Sequence, residues 1–282
     1  MTMKRKTYQE LTFTDDFLFC NILQTNPDIC KALVELILGR KVAQIKMPES
    51  QKSIDITTDS KGVRFDVYFE DEVGVTYDIE MQTNNGDDIP KRSRYYQGIS
   101  DIHQLRSGAF YNQLNKSYVI FINLFDLFGK SLPIYTFENI CLEDKELKLN
   151  DGTYKIFVNA TSERKDVAPE LQSFLDYLLG ELPTSPFTDR IQMEVDKSRR
   201  NQNWEVSYMT LEEKYQEKFN EGFTEGKAKG IAEGKSEGIA EAQRNLIATM
   251  HQNGASVEDI AKLTGIPVQK VQIILQSENA EE

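Results

Sequence analysis

Arg64–Gln82 reads RFDVYFEDEVGVTYDIEMQ, and the fold turns on how this stretch is read. Phe65, Val67 and Phe69 alternate with Asp66, and Tyr77, Ile79 and Met81 alternate with Glu80 and Gln82. A period of two is that of a strand. Between the runs lies EVG, a three-residue loop ending in Gly74, where a type I turn followed by a left-handed residue favours glycine. The stretch is predicted to be an antiparallel hairpin pairing 71 with 75, 69 with 77 and 67 with 79. Asp66 then stands opposite Glu80, and directly opposed residues lie about 4.5–5.5 Å apart. Like charges so placed destabilise a ladder. A cation between them offsets this, and hard oxygen donors suit Mg²⁺ or Mn²⁺, which take one or two carboxylates, waters and a substrate phosphate. An ordinary solvated strand face, on which carboxylates need no function, accounts for the same pattern.

Upstream, FTDDFLFCNILQTNPDICKALVELILG reads as two amphipathic helices. Thr14 or Asp15 can cap the first, and Phe17, Leu18, Ile22 and Leu23 recur at helical spacing. TNP breaks it, Asp28–Leu38 forms the second helix, and Gly39 closes it. Strands are predicted at Ser53–Thr58, Val63–Glu70 and Val75–Gln82, followed by a helix over Ile89–Leu105. The apolar run Tyr118–Leu124 reads as a buried strand, with further strands at Ile134–Asn139 and Tyr154–Asn159. ELQSFLDYLLG is a short helix closed by Gly180, and LPTSPF marks a boundary. This order predicts an α/β domain over residues 1–185.

The tail differs. Residues 186–243 are charged and helical in pattern, with glycines at 222, 226, 230, 234 and 238. A period of four lies close to the helical 3.6, so these glycines form a drifting stripe on one face. Each costs a helix roughly 0.5–1 kcal/mol. Either a partner, such as the same helix in a second subunit, packs closely on the stripe, or the segment is a flexible spacer. Residues 244–282 read as a small helix-turn-helix-like module, Ser256 capping VEDIAKLTG and GIP turning into VQKVQIIL. From Glu241 onward three Lys and Arg (Arg244, Lys262, Lys270) face six Asp and Glu. A DNA reader usually carries a basic face, so a packing or oligomerisation role is at least as well supported.

The chain has 282 residues and a net charge of −12, which argues against coating nucleic acid by bulk electrostatics but leaves room for a local basic groove. Three cysteines without metal-ligand spacing and two distant histidines argue against zinc and for reduced thiols in a cytoplasmic protein. The basic start has no apolar run behind it, and Tyr118–Phe125 is too short to span a bilayer, so no signal peptide and no membrane association are expected.

The stretch GVRFDVYFEDEVGVTYDIEMQ resembles the active-site strands of the PD-(D/E)XK nuclease superfamily. It is closer still to the Rpn family, described as recombination-promoting nucleases or transposases, in which Gln stands last. TDDFLF near the N-terminus, RSRYYQGISDIHQLRSGAFYNQL, and KSYVIFINLFDLFGK followed by IYTF extend the resemblance over most of residues 10–180. It implies a restriction-endonuclease-like α/β core, a mixed central sheet flanked by helices, here followed by an α-helical C-terminal tail. It implies a Mg²⁺- or Mn²⁺-dependent DNA endonuclease linked to recombination or DNA mobility. Asp66 and Glu80 would hold the metal, and Gln82 would take the place of a catalytic lysine. Gln can orient a water through its amide but carries no charge. An early-helix glutamate often completes such sites, and Glu35 is the candidate. On the helix after the site, Arg92 and Arg94 could meet phosphates, and Tyr96 a sugar or base. The alternative function is a catalytically weak DNA-binding or assembly protein, dimerised through the glycine-striped helix.

Overall fold

A computed structural model describes residues 6–54, 63–86, 88–105, 108–164 and 167–278. The predicted hairpin forms β2 (Val63–Glu70) and β3 (Thr76–Gln82), with Val67 paired to Ile79 and Phe69 to Tyr77. Its turn is pinned from several sides. Asp71 accepts the amides of Val73 and Val75 through its side chain, and the Asp71 amide donates to the Val75 carbonyl. Gly74 has φ +85°, and a Cβ there would come within 2.6 Å of the Asn115 amide. The left-handed φ favours glycine, and any other residue would also displace the Asn115 side chain.

Among the described residues the strands form one six-stranded sheet in the order β1-β2-β3-β4-β6-β5, with β1 (Glu49–Ile54), β4 (Ser117–Asn123), β5 (Ile134–Phe137) and β6 (Thr153–Asn159). β1, β2 and β3 are mutually antiparallel, β3, β4 and β6 run parallel, and β5 closes the edge antiparallel to β6. The mixed sheet agrees with the restriction-endonuclease-like expectation. β1 begins four residues before the predicted Ser53. Its sequence ESQKSI lacks apolar alternation, and backbone pairing with β2 defines it instead. Residues 55–58 of the predicted strand lie outside the described residues.

The parallel step from β3 to β4 is made through α3 (Ile89–Gln104), as such crossovers require. Ile89 joins Val119, Phe121, Tyr135 and Phe157 in one cluster, so α3 covers the sheet face to which Glu80 belongs by register. Each fully buried side chain of this size contributes roughly 1.5–3 kcal/mol. The alternate positions build a second layer, in which the rings of Tyr77, Tyr118 and Tyr154 stack at 5.3 and 4.8 Å. α1 (Asp16–Thr25) packs against β1 and β2 and against α2 (Pro27–Leu38), while α4 (Pro169–Leu178) packs against α5 (Pro186–Ser198).

The chain divides into two compact units, Met1–Met209 and Thr210–Glu282. The first unit extends beyond the LPTSPF boundary: α5 packs on α1 and α2, Tyr8 donates to the Ser198 carbonyl, and the Tyr208 ring meets Tyr8 and Phe17. α6 is one helix over Gln202–Gln252, running through all five glycines rather than forming a spacer. In the second unit α7 (Val257–Thr264) and α8 (Val268–Glu278) close with the end of α6 over Ile247, Ile260 and Val271. Ser256 accepts the Asp259 amide as its N-cap, and Gly265 ends α7 at φ +70°.

Candidate metal centre

The β2–β3 ladder stops at Val67–Ile79, one step before Asp66. Beyond it β2 stays on β1, with Phe65 opposite Lys52, and β3 stays on β4, with Gln82 opposite Asn123. Side chains take over where backbone pairing ends. The Asp66 amide donates to Glu80 Oε1 at 2.9 Å, and the Met81 amide donates to Asp66 Oδ2 at 3.1 Å. The two carboxylates thus lock each other's strand: the ladder pair of Asp66 with Glu80 that the hairpin reading expects does not form, and side chain-to-amide bonds bring the two together instead. They do not lie on a solvated face: Asp66 is 8% exposed and Glu80 1%.

Asp66 turns toward α1. Its carboxylate, that of Asp16 and the Cys20 thiol place one donor atom each within 4.8 Å of one another. Cys20 donates to Asp16 Oδ1 at 3.3 Å, and Arg64 donates to Asp16 Oδ2 at 3.4 Å. The early-helix carboxylate that reaches Asp66 is therefore Asp16, from the TDDFLF motif. Glu35 sits on α2, bound to Lys41 Nζ at 2.7 Å and to the Val42 amide at 3.1 Å, beside a different cavity lined by Arg40, Glu170 and Arg190.

Asp78 was not singled out in the sequence, although D-x-E-x-Q repeats at strand period through 78, 80 and 82. It is 2% exposed, and neither carboxylate oxygen meets an N–H or O–H donor among the described residues. Burial, then the charge of Asp66, raises Asp78 far above the usual carboxylate range. Burial, then Asp78 and Asp66, does the same to Glu80. Asp66 is pushed up to about 7 by burial and then by Asp16, despite the Met81 amide and two arginines.

Arg92 descends from α3 into this acidic ground. Its Nη1 donates to Gln82 Oε1 at 3.0 Å, its Nη2 donates to the Tyr96 hydroxyl at 3.2 Å, and Nη2 lies 3.6 Å from Glu80 Oε2. The guanidinium also rests 5.5 Å from the Tyr96 ring centre and 5.6 Å from that of Phe121. Guanidinium only donates, so the Gln82 oxygen must face it and the amide N–H groups are left to point elsewhere. Tyr96 is half-buried against Phe65, and burial followed by Glu80 pushes its hydroxyl up to about 12. Of the three residues read as nucleic-acid contacts, Arg92 and Tyr96 are thus turned into the site, while Arg94 is exposed on the outer side of α3.

Asp16 and Asp66 share a ligand-sized space with Cys20, while Glu80 and Asp78 lie outside that group and couple to Asp66 through charge, with Arg64 and Arg92 as the nearby guanidiniums. Buried charge of one sign demands either protons or a cation. Orphaned oxygens and clustered carboxylates fit a hard divalent ion. A soft-metal site is a poorer fit, because burial and the neighbouring acids drive the Cys20 thiol well above its ordinary range, and only a thiolate ligates strongly. No helix among the described residues is long and apolar enough to cross a membrane.

No curated protein and no solved structure matches the chain significantly. The family model for the PD-(D/E)XK nuclease family transposase matches residues 14–181, from the TDDFLF motif through both site strands and α3 to the end of α4. That match spans more than half of the chain, and the protein belongs to this nuclease family.

Proposed function

We propose that the protein is a metal-dependent endonuclease that hydrolyses phosphodiester bonds in DNA, with Asp66 and Glu80 as metal-holding residues joined by Asp16. The observation that carries this reading is the burial of Asp66, Asp78 and Glu80 at the point where two strands stop pairing, with Asp16 beside Asp66. Mg²⁺ or Mn²⁺ bound there would supply positive charge opposite the phosphate and lower the pKa of a bound water. The chain's own residues do the rest. Asp66 and Glu80 are held rigid by each other's strand amides. Gln82, its oxygen fixed by Arg92, directs N–H donors that can orient the attacking water. Arg92 stands beside Glu80 and supplies the positive charge that a lysine at position 82 would otherwise bring. Lys91 and Arg94, exposed on the same helix, would meet phosphates of the strand. A role in recombination or DNA mobility follows the family description.

The test is nicking of supercoiled plasmid by the full chain with Mg²⁺ or Mn²⁺, with EDTA, and by folded Asp66→Asn and Glu80→Gln proteins. Cleavage that needs the metal and both carboxylates is expected. Absence of cleavage by folded wild-type protein on DNA with either ion would overturn the reading.

A second reading, an assembly protein dimerised through α6, is favoured by one feature. Phe219, Phe223, Gly226 and Gly230 fall at i, i+4, i+7 and i+11, one helical face, and both phenylalanines are exposed and stacked on each other at 6.3 Å. The two readings are compatible: a dimeric nuclease satisfies both.

A further inference from the structure

We propose that a second cavity on the α3 face of the sheet is a nucleobase pocket, which grips one base of the strand being cut. The proposal rests on the endonuclease reading for its substrate. The cavity has a volume of about 250 Å³. Phe128, Phe137 and Phe157 line it, with Ser93 of α3 on one side and Lys155, Asn139 and Glu138 at its polar margin, the Glu138 carboxylate being ion-paired with Lys148.

The three phenylalanines touch pairwise. Phe128 and Phe157 meet edge-on at 5.2 Å, Phe137 and Phe157 edge-on at 5.6 Å, and Phe128 and Phe137 at 5.1 Å. Phe157 is 2% exposed, yet Phe137 remains 45% exposed beside the cavity. A core ring would be covered, and a decorative surface ring would not be backed by two others. A flat π-system with a polar edge fits such a place, because it stacks on the ring while its edge reaches amide and ammonium groups. Lys155 adds positive charge that an anionic strand requires.

Position ties the cavity to the carboxylates. Glu80, Phe121 and Phe157 form one row across β3, β4 and β6, and Asp78, Val119 and Lys155 form the adjacent row. Both rows lie on the face under α3, whose Arg92 touches Glu80 and whose Ser93 lines the cavity. Two strand spacings separate the cavity floor from Glu80, about 10 Å. A base in the cavity is out of the helical stack, so the strand between it and Glu80 is not B-form. The gripped base therefore belongs within a few nucleotides of the scissile phosphate, and it would set a base preference at a fixed offset.

Two measurements test this on the full chain. The first is saturation-transfer NMR with deoxynucleoside monophosphates, without metal, using deoxyribose 5-phosphate as the control lacking a base. Transfer to base protons in wild type is expected, with affinity weakened about tenfold or more by Phe137→Ala. Lys155→Gln, at a partly buried position outside the ring trio, should weaken it severalfold. No transfer to the base in wild type, or unchanged affinity in both variants, would overturn the pocket. The second is sequencing of cut ends from randomised DNA, where a preference at a fixed offset should disappear in both variants. Cleavage without such a preference overturns the pocket and leaves the nuclease standing. Base binding that both variants weaken, by a protein that cuts no DNA, does the reverse.

Discussion

The buried acidic cluster of the first unit and the long helix α6 break opposite rules of protein folding. In the cluster, charged groups are buried: Asp78 and Glu80 are almost wholly enclosed. Along α6, apolar groups are exposed: Phe219, Phe223, Ile231 and Ile239 all stand open, and Ile247 is its only buried residue among those described. Buried carboxylates that outnumber their cations and exposed phenylalanines covered by nothing but each other both describe a molecule that is incomplete alone. The two regions differ in what completes them. The cluster needs charge and has geometry fixed to about a hydrogen bond's precision. The helix needs surface, and a face of glycines and phenylalanines accepts any helix that comes close enough.

The sharpest way to break this comparison is to neutralise the cluster. Asp66→Asn should lower metal-dependent cleavage on the order of 10³-fold, measured by plasmid nicking, while raising stability at pH 8. The sign follows from Asp66's position near pH 7 in the fold against its ordinary value near 4. Between those two pH values the folded protein binds the extra proton, so the stability contributed by the neutral form is complete below about pH 4. It is lost as pH rises toward 7 and stays lost above it, at a cost on the order of a few kcal/mol. Metal-free wild type should therefore melt at progressively lower temperature from pH 4 to 7.5. Asp66→Asn should flatten that slope, its amide oxygen still accepting from Met81. Adding Mg²⁺ or Mn²⁺ at pH 8 should raise the melting temperature of wild type and not of the variant. A variant that is inactive and also less stable at pH 8 would mean that the carboxylates serve the fold rather than a cation.

Much of the cluster was legible in the sequence, and the reason is local. Strand period and one glycine with a positive φ determine the 67–79 and 69–77 pairs, and these bring Asp66 to Glu80. What the sequence concealed is how the ladder ends. Pairing rules place Asp66 as a ladder partner of Glu80, but each carboxylate instead takes the other strand's amide. Asp16 was in view within TDDFLF, yet choosing it over Glu35 requires the packing of α1 on β2, a long-range fact. Asp78 was hidden because an aspartate on a strand reads as solvated until a helix is known to lie over it. α6 was half legible: a four-residue glycine period is compatible with a helix and with a spacer, and propensity alone does not separate them.

Arg92 offers a smaller effect that sharpens the electrostatic half of the comparison. Arg92→Gln removes the guanidinium from Glu80, Gln82 and Tyr96 together, and cleavage should fall about 10²-fold. A merely structural arginine would not be replaced by a charge elsewhere. If Arg92 supplies the missing lysine's charge, Gln82→Lys in the Arg92→Gln protein should recover at least part of the lost kcat. The same Gln82→Lys in wild type should gain little, since two cations would then crowd one site. Failure of the rescue in a folded double variant would reduce Arg92 to a packing residue.

The smallest effect decides the other half. At Gly226 and Gly230 an added Cβ meets nothing within 4 Å in the single chain. On an isolated helix, Gly→Ala at such open positions stabilises by roughly 0.5–1 kcal/mol, because alanine loses less backbone freedom on becoming helical. Against a closely packed second helix the same methyl groups would wedge the backbones apart and weaken the pair. The sign of one substitution therefore reports whether α6 works alone. In Gly226→Ala/Gly230→Ala, helicity by circular dichroism should rise in dilute solution, and the mass by light scattering at high concentration should fall from dimer toward monomer. Truncation after Met209, which keeps the contacts of Tyr208 with Tyr8 and Phe17, should give a monomer whose first unit melts as before. If the full chain is already monomeric, or if the double alanine raises both helicity and dimer mass, the glycine stripe is not an interface. The exposed phenylalanines of α6 would then need some other partner than a second copy of this helix.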